Sequence, residues 1–323
     1  MDTTSNKPLA VVTGASSGIG YELARQFATN GFDLIVAAED DATATAAAEL
    51  RDLGAQVQDV QVDLATDEGV DALYGAIASA GRPVDAIALN AGIGAGGAFA
   101  TDTDLQDELK LIDLNVRSTV HLAKHVVRDM VARDEGRILF TSSIASTMPG
   151  SFQAVYNASK SFVQSFALAL RNELRETNVT VTSLMPGPTD TEFFERADML
   201  DTKVGTDDKD DPADVARDGF EALMAGRERV VSASLKTKLQ GRASRVLPDS
   251  VKAGMHRKMA EPGSARAAPS STTTSQTSCG SSTSTCAPPC TSPSTSCARW
   301  SPRTRGGSSS PRRSPRRCRG LSR

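Results

Sequence analysis

The 323-residue sequence predicts an α/β fold, a doubly wound parallel sheet in a single domain, and three observations carry that prediction. Short apolar runs of strand length alternate with amphipathic stretches of helical length from Leu9 to Ser232. Such alternation marks strand–helix–strand units, whose crossovers put helices on both faces of a parallel sheet. The first apolar run passes directly into three glycines and then into a helix-forming stretch. Residues with chemical potential collect where the apolar runs end, and ligands bind such sheets at the carboxyl ends of the strands.

Leu9–Thr13 reads as a buried strand, followed by Gly14, Ala15, Ser16, Ser17, Gly18, Ile19 and Gly20 and by a helix from Ile19 to about Asn30. Glycines let the backbone approach a pyrophosphate, and a helix N-terminus adds unpaired N–H groups and a positive dipole. Gly14, Gly18 and Gly20, with Ser16, Ser17 and Ile19, are therefore candidates for holding a dinucleotide; an ordinary tight turn is the alternative. Phe32–Ala38 is the second strand and ends at Glu39, Asp40 and Asp41. A carboxylate about 20 residues past the glycine loop accepts from ribose hydroxyls and repels a 2′-phosphate. Glu39 thus favours NAD(H), with NADP(H) not excluded, although these acidic residues also suit the start of the next helix, Ala42–Leu53. Further strands are expected at Val57–Val62, Val84–Leu89, Arg137–Thr141, Val179–Met185 and Arg229–Ser232. Helices are expected at Asp67–Ala80, Asp104–Ala132, Ala154–Glu176 and from Pro212 to near Gly226. At the strand ends stand Asp63 with Leu64, Asn90-Ala91-Gly92, Ser142-Ser143 and Pro186-Gly187.

Tyr156 and Lys160 lie four residues apart at the start of a predicted helix, so phenol and ammonium project from one face. Tyrosine titrates near pH ~10, and working near neutrality asks for a fall of ~2–3 units, or ~3–4 kcal/mol. A cation at ~4 Å and an effective dielectric of ~20 supplies ~4 kcal/mol. The spacing alone also fits an ordinary surface helix.

Composition divides the chain near Pro262. Beyond Glu261 there is no Asp, Glu or Lys, and ten of the 36 basic residues, all Arg, lie there. Residues 1–262 carry a net charge of −13 and residues 263–323 one of +10. An acidic body argues against nucleic-acid binding by the folded domain. All five cysteines lie in the tail, at 279, 286, 290, 297 and 318, so the body holds no disulfide or thiolate chemistry. Residues 1–8 lack an apolar signal core and no apolar run reaches spanning length. A soluble, cytoplasmic protein without a transmembrane segment is expected. The Ser/Thr/Pro/Arg-rich tail is expected to stay disordered because burial cannot offset its chain entropy. It reads as a polyanion-seeking arm, as a cysteine-bearing metal segment with irregular spacing, or as an out-of-frame translation of GC-rich DNA.

Taken together, these motifs resemble the short-chain dehydrogenase/reductase family over residues 7–235. Thr13-Gly14-Ala15-Ser16-Ser17-Gly18-Ile19-Gly20 resembles its TGxxxGxG loop, Asn90-Ala91-Gly92 its NAG element and Tyr156 to Lys160 its YxxxK pair. Pro186-Gly187 with Thr189 and Thr191 resembles the segment beside the nicotinamide, Ser143 stands 13 residues before Tyr156, and Asn115 matches the helix asparagine. The resemblance implies a Rossmann-type domain and an oxidoreductase that moves a hydride between a nicotinamide cofactor and a secondary alcohol or ketone. It implies Tyr156 as general acid or base and Lys160 as its pKa-lowering partner on the nicotinamide ribose. Ser143 would bond the substrate oxygen, Asn115 would hold a water, and Asp63 and Leu64 would contact adenine. It also implies a homodimer or homotetramer. Ser17 and Glu39 stand where members that prefer NADP carry a basic residue.

Residues 186–211 are expected to form a flap, with Phe193 and Phe194 lining a substrate pocket, and residues 236–262 a helical extension. Plain helix packing is the alternative for the flap; the extension could cover the substrate mouth, touch a partner or brush a membrane surface, and none of these outweighs plain packing. His121 and His125, four apart on a predicted helix, are read as a helix surface or subunit contact, and no metal is expected. Two other functions stand beside the oxidoreductase: a cofactor-binding regulator that has lost catalysis, and polyanion binding through the tail.

Overall fold

The computed structural model describes residues 7–191, 193, 197, 202, 209–232 and 249–260. All of them fall in the first of two units, Met1–Ala267. The expectations for residues 263–323, for most of the flap including Phe194, and for 236–248 lie outside the described residues.

Seven strands form one parallel sheet in the order β3-β2-β1-β4-β5-β6-β7: β1 (Leu9–Thr13), β2 (Asp33–Ala38), β3 (Val57–Gln61), β4 (Ala86–Leu89), β5 (Gly136–Thr141), β6 (Val179–Pro186) and β7 (Arg229–Ser232). The helices are α1 (Gly18–Thr29), α2 (Ala42–Asp52), α3 (Asp67–Ser79), α4 (Leu105–Ile112), α5 (Thr119–Arg133), α6 (Ala154–Glu173), α7 (Pro212–Met224) and α8 (Asp249–Ala260). Side chains alternate faces along a strand. In β1, Leu9 and Val11 therefore join one core, with side chains of α3, α5 and α6, while Ala10 and Val12 join the other, with those of α1, α2 and α7. The near-continuous apolar strands follow from burial on both sides. Phe27, Phe32 and Phe220 close the second core edge to face, with ring centroids 5.2 to 6.5 Å apart.

Helix ends follow local chemistry. Thr66 caps α3 by accepting from the Gly69 N–H at 3.0 Å, with Asp67 and Glu68 in the first turn beside the helix dipole. Asp211 caps α7 in the same way, ahead of Pro212.

Several expected ends shift by one to three residues, as at α6, which stops at Glu173 rather than Glu176, and two differences have a visible cause or consequence. β4 starts at Ala86 rather than Val84. Asp85 just before it still bonds both neighbours through its backbone, donating to the Leu9 carbonyl at 2.9 Å and accepting from the Arg137 N–H at 3.0 Å, and its carboxylate also takes the Leu9 N–H at 2.7 Å. The long helix expected over Asp104–Ala132 contains a π-helical segment, Asp113–Ser118, between α4 and α5. Such a segment admits an extra residue per turn and is frequent at functional sites. This one carries Asn115.

The order of strands reverses between β1 and β4. There the connections leaving the two strands run to opposite sides and open a crevice. The glycine loop follows β1 and Asn90-Ala91-Gly92 follows β4, so both rim that crevice.

Candidate active site

A cleft of about 880 Å³ runs from the glycine loop to Tyr156. At one end Gly14 and Gly18 have φ of +66° and +55°, which L side chains rarely adopt. A Cβ on Gly14 would come within 2.9 Å of the Ala91 Cα, one on Gly18 within 2.9 Å of Thr191, and one on Gly20 would drive into the Gly14 carbonyl. Ser17 precedes α1 and caps it with no side-chain bond. The first turn thus keeps its N–H groups for a ligand, and this bare helix end beside a glycine cradle suits a pyrophosphate.

The loop is held by its neighbours. Thr13 Oγ1 accepts from the N–H groups of Asn90 and Ala91, each at 3.0 Å. Asn90 Nδ2 donates to the Thr13 carbonyl at 3.2 Å, and its Oδ1 accepts from Thr141 at 3.0 Å. Asn90 therefore ties the ends of β1, β4 and β5 together while lining the cleft.

Beside the glycine loop, after β2, the acidic residues divide. Glu39 is exposed and lies 3.4 Å from Lys110 Nζ. Asp40 accepts from Ser16 Oγ at 2.9 Å on one oxygen, and its other oxygen is buried without a partner. Leu64 and Val62 line the cleft. Asp63 is not among the lining residues: its carboxylate accepts from the Ala65 N–H at 2.8 Å within its own turn.

At the other end Tyr156 and Lys160 sit on the first turns of α6, both buried. The hydroxyls of Tyr156 and Ser143 are hydrogen-bonded, and Ser143 also takes the Ala145 N–H at 3.1 Å. Lys160 Nζ donates to the Thr141 carbonyl at 3.0 Å and lies 5.9 Å from the Tyr156 ring centroid. This corrects the expectation that the lysine makes the phenol acidic in the protein alone. Burial disfavours both charged forms and wins. It pushes Tyr156 up to about 12, against a lowering by the Ser143 hydrogen bond, and pushes Lys160 down to about 8.

Asn115 is buried. Its Oδ1 accepts from the Ile93 N–H at 2.9 Å, and its Nδ2 donates to the Ile93 carbonyl at 2.9 Å and to Ser159 at 3.1 Å. Its side chain is thus committed to the Ile93 backbone. A Cβ on Gly92 would meet Asn115 Oδ1 at 2.9 Å and Lys160 Nζ at 3.2 Å, so the glycine lets the two approach.

Pro186, Gly187, Thr189 and Thr191 line the same cleft, and Phe193 stacks obliquely on Tyr156 with centroids 5.2 Å apart. Gly94 makes room for that ring. Sequence reasoning allowed that a helix here could cover the substrate mouth but did not single out His256 and Met259, which α8 brings to the cleft from about 100 residues downstream of Tyr156. His256 Nδ1 is 3.0 Å from the Ser151 carbonyl, and Arg257 lies over Phe152. No motif announces this docking; only the histidine in a weakly amphipathic stretch hinted at it.

A phosphate-ready loop and a Ser–Tyr–Lys group share one cleft, and the family model described as short chain dehydrogenase matches residues 8–199. The chain belongs to the short-chain dehydrogenase family. As a short-chain dehydrogenase/reductase it is an NAD(P)-dependent enzyme acting on CH–OH groups. An uncharacterized short-chain type dehydrogenase/reductase of Sinorhizobium fredii is 36% identical over 189 residues, 58% of this chain and 73% of that one. The crystal structure of a short-chain dehydrogenase/reductase from Burkholderia phymatum in complex with NAD superposes with a TM-score of 0.66 at 27% identity, covering 73% of this chain and 92% of that one. A short-chain dehydrogenase from Sphingobium yanoikuyae in complex with NADPH gives 0.65 at 27% identity, covering 75% and 96%. Among the described residues of this short-chain dehydrogenase, no helix is long and apolar enough to cross a membrane.

Proposed function

We propose that this enzyme interconverts a secondary alcohol and its ketone, with Tyr156 as the proton-transferring group. The observation that carries the reading is the Ser143–Tyr156 hydrogen bond with buried Lys160 on the same wall of the cleft. The nicotinamide, when bound, supplies the hydride acceptor or donor. Gly14, Ser16, Ser17, Gly18, Ile19 and Gly20 would hold its pyrophosphate, and Pro186, Gly187, Thr189 and Thr191 its nicotinamide end. Ser143 orients the substrate oxygen. Tyr156 gives that oxygen a proton in reduction and takes one from it in oxidation. Burial pushes the phenol up to about 12, so it is protonated at neutral pH before cofactor and substrate bind. Lys160 supplies positive charge for the phenolate left behind. Asn115 acts through position, fixing the backbone at Ile93 beside Lys160.

NAD(H) is the favoured cofactor. A 2′-phosphate would meet both Glu39 and Asp40. Lys110 offsets Glu39, whereas the partnerless oxygen of Asp40 is suited to a ribose hydroxyl. A homo-oligomer is supported by apolar side chains left outside: Leu105, Leu109 and Ile112 along one face of α4, and Phe162 on α6. Light scattering that returns only monomer refutes that part. We also take residues 1–262 as the whole catalytic domain; a fragment ending at 262 that fails to turn over refutes that boundary.

The decisive test is a screen of ketones and secondary alcohols with NAD(H) and NADP(H), comparing the native chain with Tyr156→Phe. Turnover is expected to fall by roughly 10²–10⁴, with cofactor affinity kept. Undiminished turnover in the variant would sink the mechanism.

A further inference from the structure

We propose that Asp71, His121 and His125 form a binding site for one divalent metal ion of the zinc type, clamping α3 to α5 on the flank of the sheet. The site is separate from the cleft: none of the three lines it. Two matched pairs face each other. Asp67 and Asp71 are four apart on α3, and His121 and His125 are four apart on α5, so each pair shares one helix face. The donor atoms of Asp71, His121 and His125 all lie within 4.8 Å of one another. His121 Nε2 is 3.2 Å from Asp71 Oδ1.

Tetrahedral bonds of ~2.0–2.2 Å place donor atoms roughly 3.3–3.5 Å apart. The His121–Asp71 separation already meets that spacing. The widest gap closes with a shift of about an ångström, within reach of side chains that are partly exposed.

The surroundings orient the ligands. Tyr74, also on α3, stacks on His125 with centroids 4.3 Å apart, and its hydroxyl is held by Asp129 at 3.0 Å. Asp67 lies 3.6 Å from His121 Nδ1 and is itself paired with Arg117. A carboxylate on the far ring nitrogen is the usual outer partner of a metal-bound imidazole, because it fixes the tautomer that presents Nε2 to the ion. Two imidazoles and one carboxylate select zinc, copper or nickel over magnesium and calcium, which take all-oxygen sets. The exposed side leaves a fourth position for water, and no chemistry is asked of the ion beyond joining two helices.

The full-length, tag-free protein, stripped with a chelator, is titrated with zinc chloride by calorimetry beside His121→Ala/His125→Ala and Asp71→Asn. Cysteine thiolates bind zinc in general, but the native chain and every variant share the same tail, so the difference isolates the helical site. The native chain is expected to bind one more equivalent than the double variant and to melt a few degrees higher with zinc. Asp71→Asn should weaken that equivalent by about tenfold. His125→Gln, which keeps the size of the side chain, covers the case in which the double variant folds poorly. Identical isotherms for native and His125→Gln protein, or a helical equivalent that saturates only above about 1 mM zinc, would make it an adventitious ion only and overturn the proposal.

Discussion

The two ends of the cleft are built on different principles. The glycine-loop end, the adenosine end of the proposed cofactor site, is backbone: glycines at positive φ, a bare helix N-terminus and N–H groups tied to Thr13. Its precision comes from close approach, with Asp40, one carboxylate oxygen of which is buried without a partner, as the exception among its side chains. The catalytic end is side chain in a dry wall, where Lys160 and Tyr156 are held against their preference for water. One end recognises a ligand at little cost to the fold. The other holds reactive groups ready by tolerating a cost, the usual trade between stability and activity.

That cost supplies the largest expected effect. Lys160 titrates at about 8 when folded against 10.5 for a lysine in water, so the unfolded chain binds the proton more tightly. The penalty is fully present below pH 8 and is relieved as pH rises from 8 toward 10.5. It amounts to about 3 kcal/mol, less about 1 for the bond to Thr141. Lys160→Met should therefore lose turnover and yet be more stable than the native chain at pH 7, by about 2 kcal/mol in urea melts. Its advantage should shrink by about pH 10. A parallel pH dependence in the two proteins would break the contrast between the ends.

A smaller effect sharpens the adenosine end. Asp40→Asn keeps the acceptor for Ser16 but removes a charge, and should shift the NADPH:NADH ratio of kcat/KM toward NADPH by about tenfold. Glu39→Gln should shift it less, because Lys110 already offsets that carboxylate. The reverse order would mean that the outer residue, not the buried one, sets the preference.

Legibility in the sequence follows the same division. The strands and the glycine loop are readable because their signals are contiguous: apolar runs, glycines and a cap lie next to one another in the chain. Tyr156, Ser143 and Lys160 can be placed by spacing, since one helix and one strand end carry them. The direction of their pKa shifts is not legible, because burial depends on what the rest of the chain stacks over α6. At Asp63 the sequence does not show that the carboxylate bonds the Ala65 N–H within its own turn, while its neighbour Leu64 lines the cleft. The sequence places Glu39 and Asp40 together after β2 but does not say which is turned inward, and the expectation for the ribose falls on Glu39. The π-helical register at Asn115 leaves no mark in an otherwise ordinary helical pattern.

His256 is the clearest case of a contact made by the fold alone, and it gives the smallest effect. Its Nδ1 faces the Ser151 carbonyl, which requires the proton on that nitrogen. Burial lowers its pKa, so the ring stays neutral down into the ordinary histidine range and works as a clamp for α8 rather than as a charge. His256→Phe keeps a flat ring but gives up one hydrogen bond, worth about 1 kcal/mol or roughly fivefold. That loss should appear in KM for the carbonyl substrate, flat between about pH 7 and 9 on the native profile, with cofactor affinity unchanged. His256→Gln, which can still donate to Ser151, should recover part of it. An equal rise in the cofactor constant would show that α8 holds the whole cleft, and the two ends would then be one cooperative unit rather than two.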